Sequence, residues 1–540
     1  MADAATLSVF HHLFASVAEE MGGTLERAAY SPNIKERLDF SCALFLGDGK
    51  MLAQAAHIPV HLGAMPESVR AAIRQVDPFH AGDVVILNDP YLGGTHLPDV
   101  TLVSPVFRDT ASDSGAGDVP DFFVASRAHH ADIGGMSPGS MPLSTELHQE
   151  GLIIPPIRIV ERGTLNEAAW TLLLRNVRTP VEREGDLAAQ LAAHRTGARR
   201  LQQIVSRYGL PETLAQARNL IAYSRRMAEA TVQQIPDGAY RFTDYMDDDG
   251  QGAQSIPINL TLTVDGGALR ADFAGTAATV RGNVNAVPAI VRSAVVYCLR
   301  CVALALLNRE IPMNEGLFDP LTLRIPAGSL LDPPRGHAVA AGNVETSQRV
   351  VDVVMGALAQ ALPDLIPAAS QGTMNNFTFG GEVDGQPFAY YETLGGGIGA
   401  GPTSGGGSGM HSHMSNTRNT PIEALESTFP LRVEQYALRS NSGGKGRHQG
   451  GDGLIRRVRF LAPADVTITS ERRSHAPYGL NGGEAGRAGK NSHIRNGQRS
   501  ATGGKASLRL EAGDVIMIET PGGGGWGQAE SESDALSDHG

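Results

Sequence analysis

Hydrophobic positions along this chain follow two different periods. Over residues 5–29, Leu7, Phe10, Phe14, Val17, Met21 and Leu25 recur every three or four positions, the spacing of one buried helix face. Gly22-Gly23 weakens the second half, and Ser31-Pro32-Asn33 ends it. Asp39 to Phe45 then enters a strand, turns at Gly47-Asp48-Gly49 and pairs with Met51–Ala55 as a hairpin. Glu67–Gln75 reads as a short helix. Val84-Val85-Ile86-Leu87 and Phe122-Phe123-Val124-Ala125 are unbroken apolar runs of strand length. Leu152–Pro156 reads as strand-like. Residues 164–207 alternate helical patterns with a polar run, Asn176–Asp186, and Pro211–Gln233 is a further helix closed by Pro236-Asp237-Gly238. Asn259–Val264 and Ala268–Phe273 flank a turn and form a hairpin. Val287–Leu307 and Val344–Leu362 are apolar helices. The first carries Arg292 and Arg300, which favours a protein core over a membrane span.

After about residue 370 the pattern changes to strands between glycine-dense stretches: nine glycines within Gly395–Gly409, then Ser442–Gly453 and Pro521–Gly527. The expected fold class is α+β, a large multi-lobed chain with mixed sheets, helices and Gly-rich loops. The expected divisions are an N-terminal lobe with metal-binding loops (1–234), a middle α/β lobe (235–369), a Gly-rich β-rich lobe (370–528) and a disordered tail (529–540). Residues 109–121 read as a polar hairpin tip, and no internal repeat is present.

Composition narrows the picture. With 540 residues the chain has room for roughly three to four ordinary domains. Its 64 glycines and 31 prolines imply much loop, while 41% hydrophobic residues imply a folded scaffold. A formal charge of −12 argues against a nucleic-acid binder, which needs a basic face. Three cysteines (Cys42, Cys298, Cys301) cannot build a disulfide framework. The N-terminal residues lack the basic and apolar blocks of a signal peptide. A cytoplasmic protein without a membrane anchor is the expectation.

The candidate chemistry gathers at two predicted strand ends. Asn88–Asp99 (NDPYLGGTHLPD) follows the first apolar run. Pro90 and Pro98 forbid a regular helix, and Gly93-Gly94 permits backbone angles closed to other residues. His96 and Asp99 lie three apart on this shaped loop. Ser126–Gly135 (SRAHHADIGG) closes the second run. Asp39, His96, Asp99 and one of His129 or His130 form a candidate metal set. Imidazole mixed with carboxylate suits Zn, Mn or Fe rather than Ca or Mg alone. Asp89 and Asp132 are spare carboxylates beside it. The blander alternative is that these are turn-capping residues with satisfied side chains.

Other patterns carry less. Gly135-Met136-Ser137-Pro138-Gly139 matches a nucleophile elbow in form, but Pro138 has no N–H for an oxyanion hole. No phosphate-binding Gly-x-x-x-x-Gly-Lys-Ser/Thr occurs. Cys298 and Cys301 read as packing residues. Asp244, Asp247, Asp248 and Asp249 read as a solvated turn, His411 and His413 as a solvated loop, and Arg175, Arg178 and Arg183 as an ion-paired surface. Gly395–Gly409 reads as a structural loop or subunit contact.

The runs Ser31–Phe45, His57–Pro66, Asn88–Phe107, Ser126–Pro142, Asn176–Gln190, Gly342–Ala357, Tyr391–Gly409, Asn416–Arg432 and Pro521–Gly527 resemble the hydantoinase B family in order along nearly the whole chain. The same family supplies the second half of 5-oxoprolinase and a large subunit of acetone and acetophenone carboxylases. The resemblance implies a B-type subunit of an ATP-dependent cyclic-amide hydrolase, assembled as a hetero-oligomer with a hydantoinase A-type partner that binds ATP and phosphorylates the substrate. It implies metal ligands Asp39, His96, Asp99 and His129, with His130 as the alternative neighbour. A metal-activated water would attack the phosphorylated amide, with Asp89 or His130 moving the proton. The alternatives are a ketone carboxylase subunit and a non-catalytic scaffold with a structural metal.

Overall fold

The computed structural model describes residues 4–55, 58–108 and 119–529. His57, most of the 109–121 insert and all but the first residue of the 529–540 tail lie outside the described residues. Helix α1 (Ala4–Ala28) runs through Gly22-Gly23 without interruption, because its buried stripe of Phe10, Phe14, Val17, Met21 and Leu25 holds it against the first sheet. Each such side chain contributes about 1.5–3 kcal/mol on burial, more than two mid-helix glycines cost. A single turn, α2 (Pro32–Lys35), capped by Ser31, follows.

That first sheet has seven antiparallel strands in the order β2-β1-β5-β4-β3-β6-β7. They are β1 (Phe40–Leu46), β2 (Met51–Gln54), β3 (Val84–Leu87), β4 (Asp99–Val106), β5 (Phe122–His129), β6 (Ile157–Glu161) and β7 (Thr164–Leu165). One face packs on α1 and on the long helix α5, and the other on α3 (Met65–Val76). Its central strands are therefore buried on both sides, which explains their unbroken apolar runs.

Two local expectations differ from the structure. Leu152–Pro156 forms no strand; Pro155 and Pro156 have no N–H to give a ladder, and pairing starts at Ile157. The polar run Asn176–Asp186 becomes the start of α5 (Pro180–Tyr208), after the short α4 (Glu167–Arg175). Its charges are internally matched: Arg183 is fully buried, with Nη2 2.9 Å from Asp186 Oδ2. Helix α6 (Leu210–Val232) leads out of this region.

The second sheet, in the order β11-β10-β9-β8, comprises β8 (Gly238–Asp248), β9 (Gln254–Asp265), β10 (Ala268–Asp272) and β11 (Leu321–Arg324), with only β10 and β11 parallel. Helices α7 (Pro288–Leu307) and α8 (Thr346–Ala361) accompany it. The first is long and apolar enough to cross a membrane, but Ile290, Val291, Ala294, Val295, Cys298, Leu299 and Val302 lie in the largest hydrophobic core, which also takes in Val84, Ile86 and Leu102 of the first sheet. The acidic cluster expected as a solvated turn is instead a buried seam. Asp244 Oδ2 is 2.7 Å from Arg472 Nη2, and Asp247 accepts the backbone N–H groups of Arg473 and His475. Arg349 of α8 faces Glu471 at 3.4 Å.

Two further antiparallel sheets enclose an aromatic core around Phe377, Phe379, Phe429 and Phe460: one orders β13 (Gln386–Glu392), β12 (Asn376–Val383), β16 (Ala464–Thr469) and β19 (Lys505–Leu510), the other β14 (Leu431–Arg439), β15 (Gly453–Phe460), β20 (Val515–Glu519), β17 (Lys490–Arg495) and β18 (Gln498–Ala501). Beside them the glycine-dense stretches interlock. Ile398 N donates to Gly407 O, Gly451 N to Ile398 O, Gly523 N to Gly451 O and Gly444 N to Gly523 O, each at 2.8–2.9 Å. Successive residues bond to different neighbouring passes, so the bundle is no sheet. A Cβ on Gly451 would lie 1.8 Å from Gly407 O, and one on Gly523 2.1 Å from Ile398 O. Only glycine permits main chains this close.

Candidate metal centre

The face of the first sheet that packs on α3 changes character along its strands. Val103, Phe123 and Ala125 are apolar and belong to the α3 core. One pleat on, Thr101 stands opposite Arg127; at the strand ends Asp99 stands opposite His129. Because side chains alternate faces, Asp99 and His129 project to one side and their alternate neighbours to the other. His129 N donates to Asp39 O at 3.0 Å, which brings the start of β1 alongside.

His96 arrives from the loop before β4. Asn88 fastens that loop: Nδ2 donates to Leu97 O at 2.8 Å and Leu152 O at 2.9 Å, while Oδ1 accepts from Ile154 N at 2.7 Å. Gly93 adopts φ 98°, and a Cβ on Gly94 would lie 2.3 Å from Asn88 O. The glycine pair is thus required by the turn's geometry.

Donor atoms of His96, Asp99 and His129 all lie within 4.8 Å of one another, and all three residues are buried. Asp99 Oδ1 is 3.1 Å from His96 Nε2 and 3.3 Å from His129 Nδ1. His96 Nδ1 lies 3.0 Å from Ala340 O and donates to it, which leaves a lone pair on Nε2 facing Asp99. Asp99 Oδ1 and His129 Nε2 are buried without hydrogen-bond partners. Converging lone pairs of two imidazoles and a carboxylate, with orphaned buried atoms among them, fit a divalent cation. Asp39 lines the same cavity without joining the convergent three.

Several further residues at the site are not picked out as candidates by the sequence. His61 Nε2 is 3.4 Å from Asp99 Oδ2, and its Nδ1 is 2.9 Å from Ser41 Oγ. Asn343 Nδ2 donates to His96 Nε2 at 3.0 Å and to Asp99 Oδ2 at 3.3 Å. The Tyr391 ring stacks on His129 with centroids 4.4 Å apart. Thr95 Oγ1 donates to Asp99 Oδ2 at 2.8 Å. Burial alone would push the Asp99 carboxyl up, but the imidazoles of His96 and His61 outweigh it and hold it well below the usual range. Burial pushes His129 down; for His96 the Asp99 carboxylate overcomes burial and raises it.

The proton movers expected from the sequence lie elsewhere. Asp89 caps a short turn, its Oδ1 accepting from Tyr91 N at 2.9 Å, and its other oxygen faces Arg335 at 3.6 Å. His130 points toward α5, with Nε2 3.0 Å from Gln190 Oε1, and burial and Arg183 push its pKa down. Strand alternation explains this, since adjacent residues at the end of β5 cannot share a face. Neither residue lines the cavity. The cavity measures about 20 Å³, room for a water or an ion. Ile58, Val60, Val344, Met374 and Met414 supply its apolar walls, and Thr393, Ser415 and Thr417 line it with hydroxyls. His411 and His413 of that last loop are half-buried rather than solvated.

The chain is 43% identical to 5-oxoprolinase 1 of Arabidopsis thaliana across 98% of its own length, but spans only 42% of that protein. It is 33% identical to the putative B-type component of a D-/L-hydantoinase from a Pseudomonas species, covering 97% of this chain and 90% of the relative. The crystal structure of an ATP-dependent caprolactamase from Pseudomonas jessenii superposes with a TM-score of 0.90 at 25% identity, over 100% of this chain and 94% of the other. The model of the Hydantoinase B/oxoprolinase family matches residues 3–529, and the chain belongs to that family.

Proposed function

We propose that this chain is the B-type component of an ATP-dependent cyclic-amide hydrolase, in which Asp39, His96, Asp99 and His129 hold a divalent Zn, Mn or Fe ion. The convergence of His96, Asp99 and His129 at two paired strand ends carries the reading. The names of the relatives, a 5-oxoprolinase and a hydantoinase component, and of the caprolactamase support the substrate class.

An amide resists water because its nitrogen shares its lone pair with the carbonyl. Phosphorylation of the oxygen by an A-type partner makes the carbon electrophilic and creates a leaving group. A bound divalent ion supplies Lewis acidity that lowers the pKa of water. The chain's own residues do the rest. Asp99 and the two imidazoles fix the reacting position, Ala340 O orients His96, Asn343 supports Asp99 through Oδ2, and the apolar walls exclude bulk water. His61, beside Asp99 and on the cavity wall, replaces Asp89 and His130 as the imidazole available to take a proton.

The test joins metal analysis to turnover. The chain is copurified with its A-type partner, its metal measured, and ATP hydrolysis screened over hydantoins, 5-oxoproline and lactams. ATP consumption coupled to ring opening is expected, lost in His96→Ala while that variant stays folded and partner-bound. Turnover retained in His96→Ala would overturn the metal role. Unfolding of that variant would favour a scaffold, and ATP use only with a ketone and bicarbonate would favour a carboxylase.

A further inference from the structure

Arg37 is fully buried, and every hydrogen-bond partner it has among the described residues is neutral. Its Nε donates to Arg418 O at 3.2 Å, its Nη1 to Tyr391 O at 2.6 Å and to Asn33 Oδ1, and its Nη2 to Thr393 Oγ1 at 2.9 Å. The guanidinium also lies over the Tyr391 ring, 5.0 Å from its centroid. A buried cation normally sits against a carboxylate, because desolvating a lone charge is costly. Here its charge is passed to a row of hydroxyls that ends in the metal cavity.

The row has a direction. Arginine donates and never accepts, so Thr393 Oγ1 spends a lone pair on Arg37 and its hydrogen is free to point onward. Thr417 Oγ1 lies 2.8 Å further on, and Ser415 Oγ 3.4 Å beyond that. Ser415 in turn is 3.4 Å from His411 Nδ1. Thr393, Ser415 and Thr417 all line the cavity that contains Asp39, Asp99 and His129. With Thr393's single hydrogen spent on Thr417, the hydrogens of Thr417 and Ser415, whose mutual contact is a long 3.4 Å, are the ones left to point into the cavity that Asp39 and Asp99 also line.

We propose that Ser415 and Thr417, with Thr393 and Arg37 behind them, form an oxyanion-recognising wall that receives a negatively charged oxygen of the substrate beside the metal. The ligand class is an anionic oxygen acid: the phosphoryl group of an activated amide, or a carboxylate carried by the ring. This rests on the reading that the cavity is where the substrate reacts. At about 20 Å³ the cavity has room for the ion alone, so a bound anion requires its lining to widen. Arg37 is a positioning residue, acting through Thr393. Asp39 and Asp99 make the metal-free cavity repellent to anions, so anion binding is expected only after the cation is held.

The test is direct binding, read without turnover. The metal-loaded chain is titrated calorimetrically with inorganic phosphate and with formate, as wild type, Thr417→Val, Thr417→Ser and Ser415→Ala. Wild type is expected to bind at least one anion. Thr417→Val should weaken it about 10-fold or more, the loss of a hydrogen bond to a charged group, and Thr417→Ser should restore it. Metal affinity from chelator competition should stay unchanged in all four. Weakening confined to phosphate identifies the phosphoryl source, and weakening confined to formate the carboxylate. If Thr417→Val does not fold, Ser415→Ala carries the same expectation. The proposal is overturned if wild type binds neither anion, or if the hydroxyl-deleted variants bind both within twofold of wild type. Absence of turnover in the partnered wild type would defeat the proposed function while leaving this binding result standing.

Discussion

At the ends of β1, β4 and β5, buried polar side chains from distant segments meet around a small cavity. Between Gly395 and Gly527, main chains meet with no side chains between them. Both regions are buried, and both must satisfy polar groups away from water. The metal centre does so through side-chain identity: Asn88, Asn343 and Ala340 O each hold one ligand or its loop. The glycine bundle does so chiefly through backbone hydrogen bonds, as between Ile398, Gly451 and Gly523, with Asp452 and Ser442 accepting at its edge. The first tolerates conservative changes in shape and fails on changes in chemistry. The second fails on added volume wherever its main chains touch.

Substitutions can break or sharpen this contrast. The largest effect is expected from Gly451→Ala, whose methyl would sit 1.8 Å from Gly407 O and within 3.0 Å of other backbone. Overpacking against rigid main chain should cost on the order of 3 kcal/mol or more, seen as a lost or strongly lowered melting transition with no dependence on metal. Asp99→Asn should act in the opposite sense. It keeps the volume, so the melting transition of the metal-free chain should persist. Metal affinity should fall by at least about 100-fold, the upper end for residues that only support a ligand. A normal chelator-competition curve would contradict this.

Glu150→Gln tests the support of His96. Glu150 is fully buried, and its Oε1 accepts from Val339 N at 2.9 Å and Ala340 N at 3.0 Å, the same Ala340 whose carbonyl holds His96. A roughly 10-fold loss of metal affinity is expected. Burial pushes the Glu150 carboxyl up to about 7. The folded chain therefore binds this proton more tightly than the unfolded chain, and stability falls as pH rises from about 4.5 to about 7. One such group contributes at most about 1.4 kcal/mol per pH unit. Melts of the metal-free variant across that range should give a shallower slope than wild type; an equal slope would remove Glu150 from the account. The smallest effect belongs to Gly401→Ala. This glycine lies inside the same dense stretch but has open space around it. A change within about 0.5 kcal/mol is expected, and a large loss would mean that composition rather than contact governs the bundle.

How much is legible in the sequence follows from the same contrast. The two buried strands, the α7 and α8 helices and the shaped loop at Asn88–Asp99 are local patterns, and local patterns are readable. Asp99 and His129 can be paired from sequence because each closes an apolar run and the family resemblance joins them. His61 has only a weak signal, a histidine just after Pro59 in a short turn, too little to single it out. Asn343 reaches His96 from 247 positions away, so nothing near residue 343 announces it. His130 misleads because sequence proximity to His129 hides the alternation of strand faces. Asp244 and Asp247 look solvated because their arginine and backbone partners lie more than 100 residues downstream. The glycine stretches are visible, but an array in which successive residues bond to different passes has no period to detect.

That array has a consequence for how such a protein can vary. Where hydrogen is already the side chain, every replacement is larger, and no compensating change nearby can restore the lost room. At the glycines that touch other main chain, drift or engineering must proceed by adding or removing whole passes of chain, since single letters at those positions have nowhere to go.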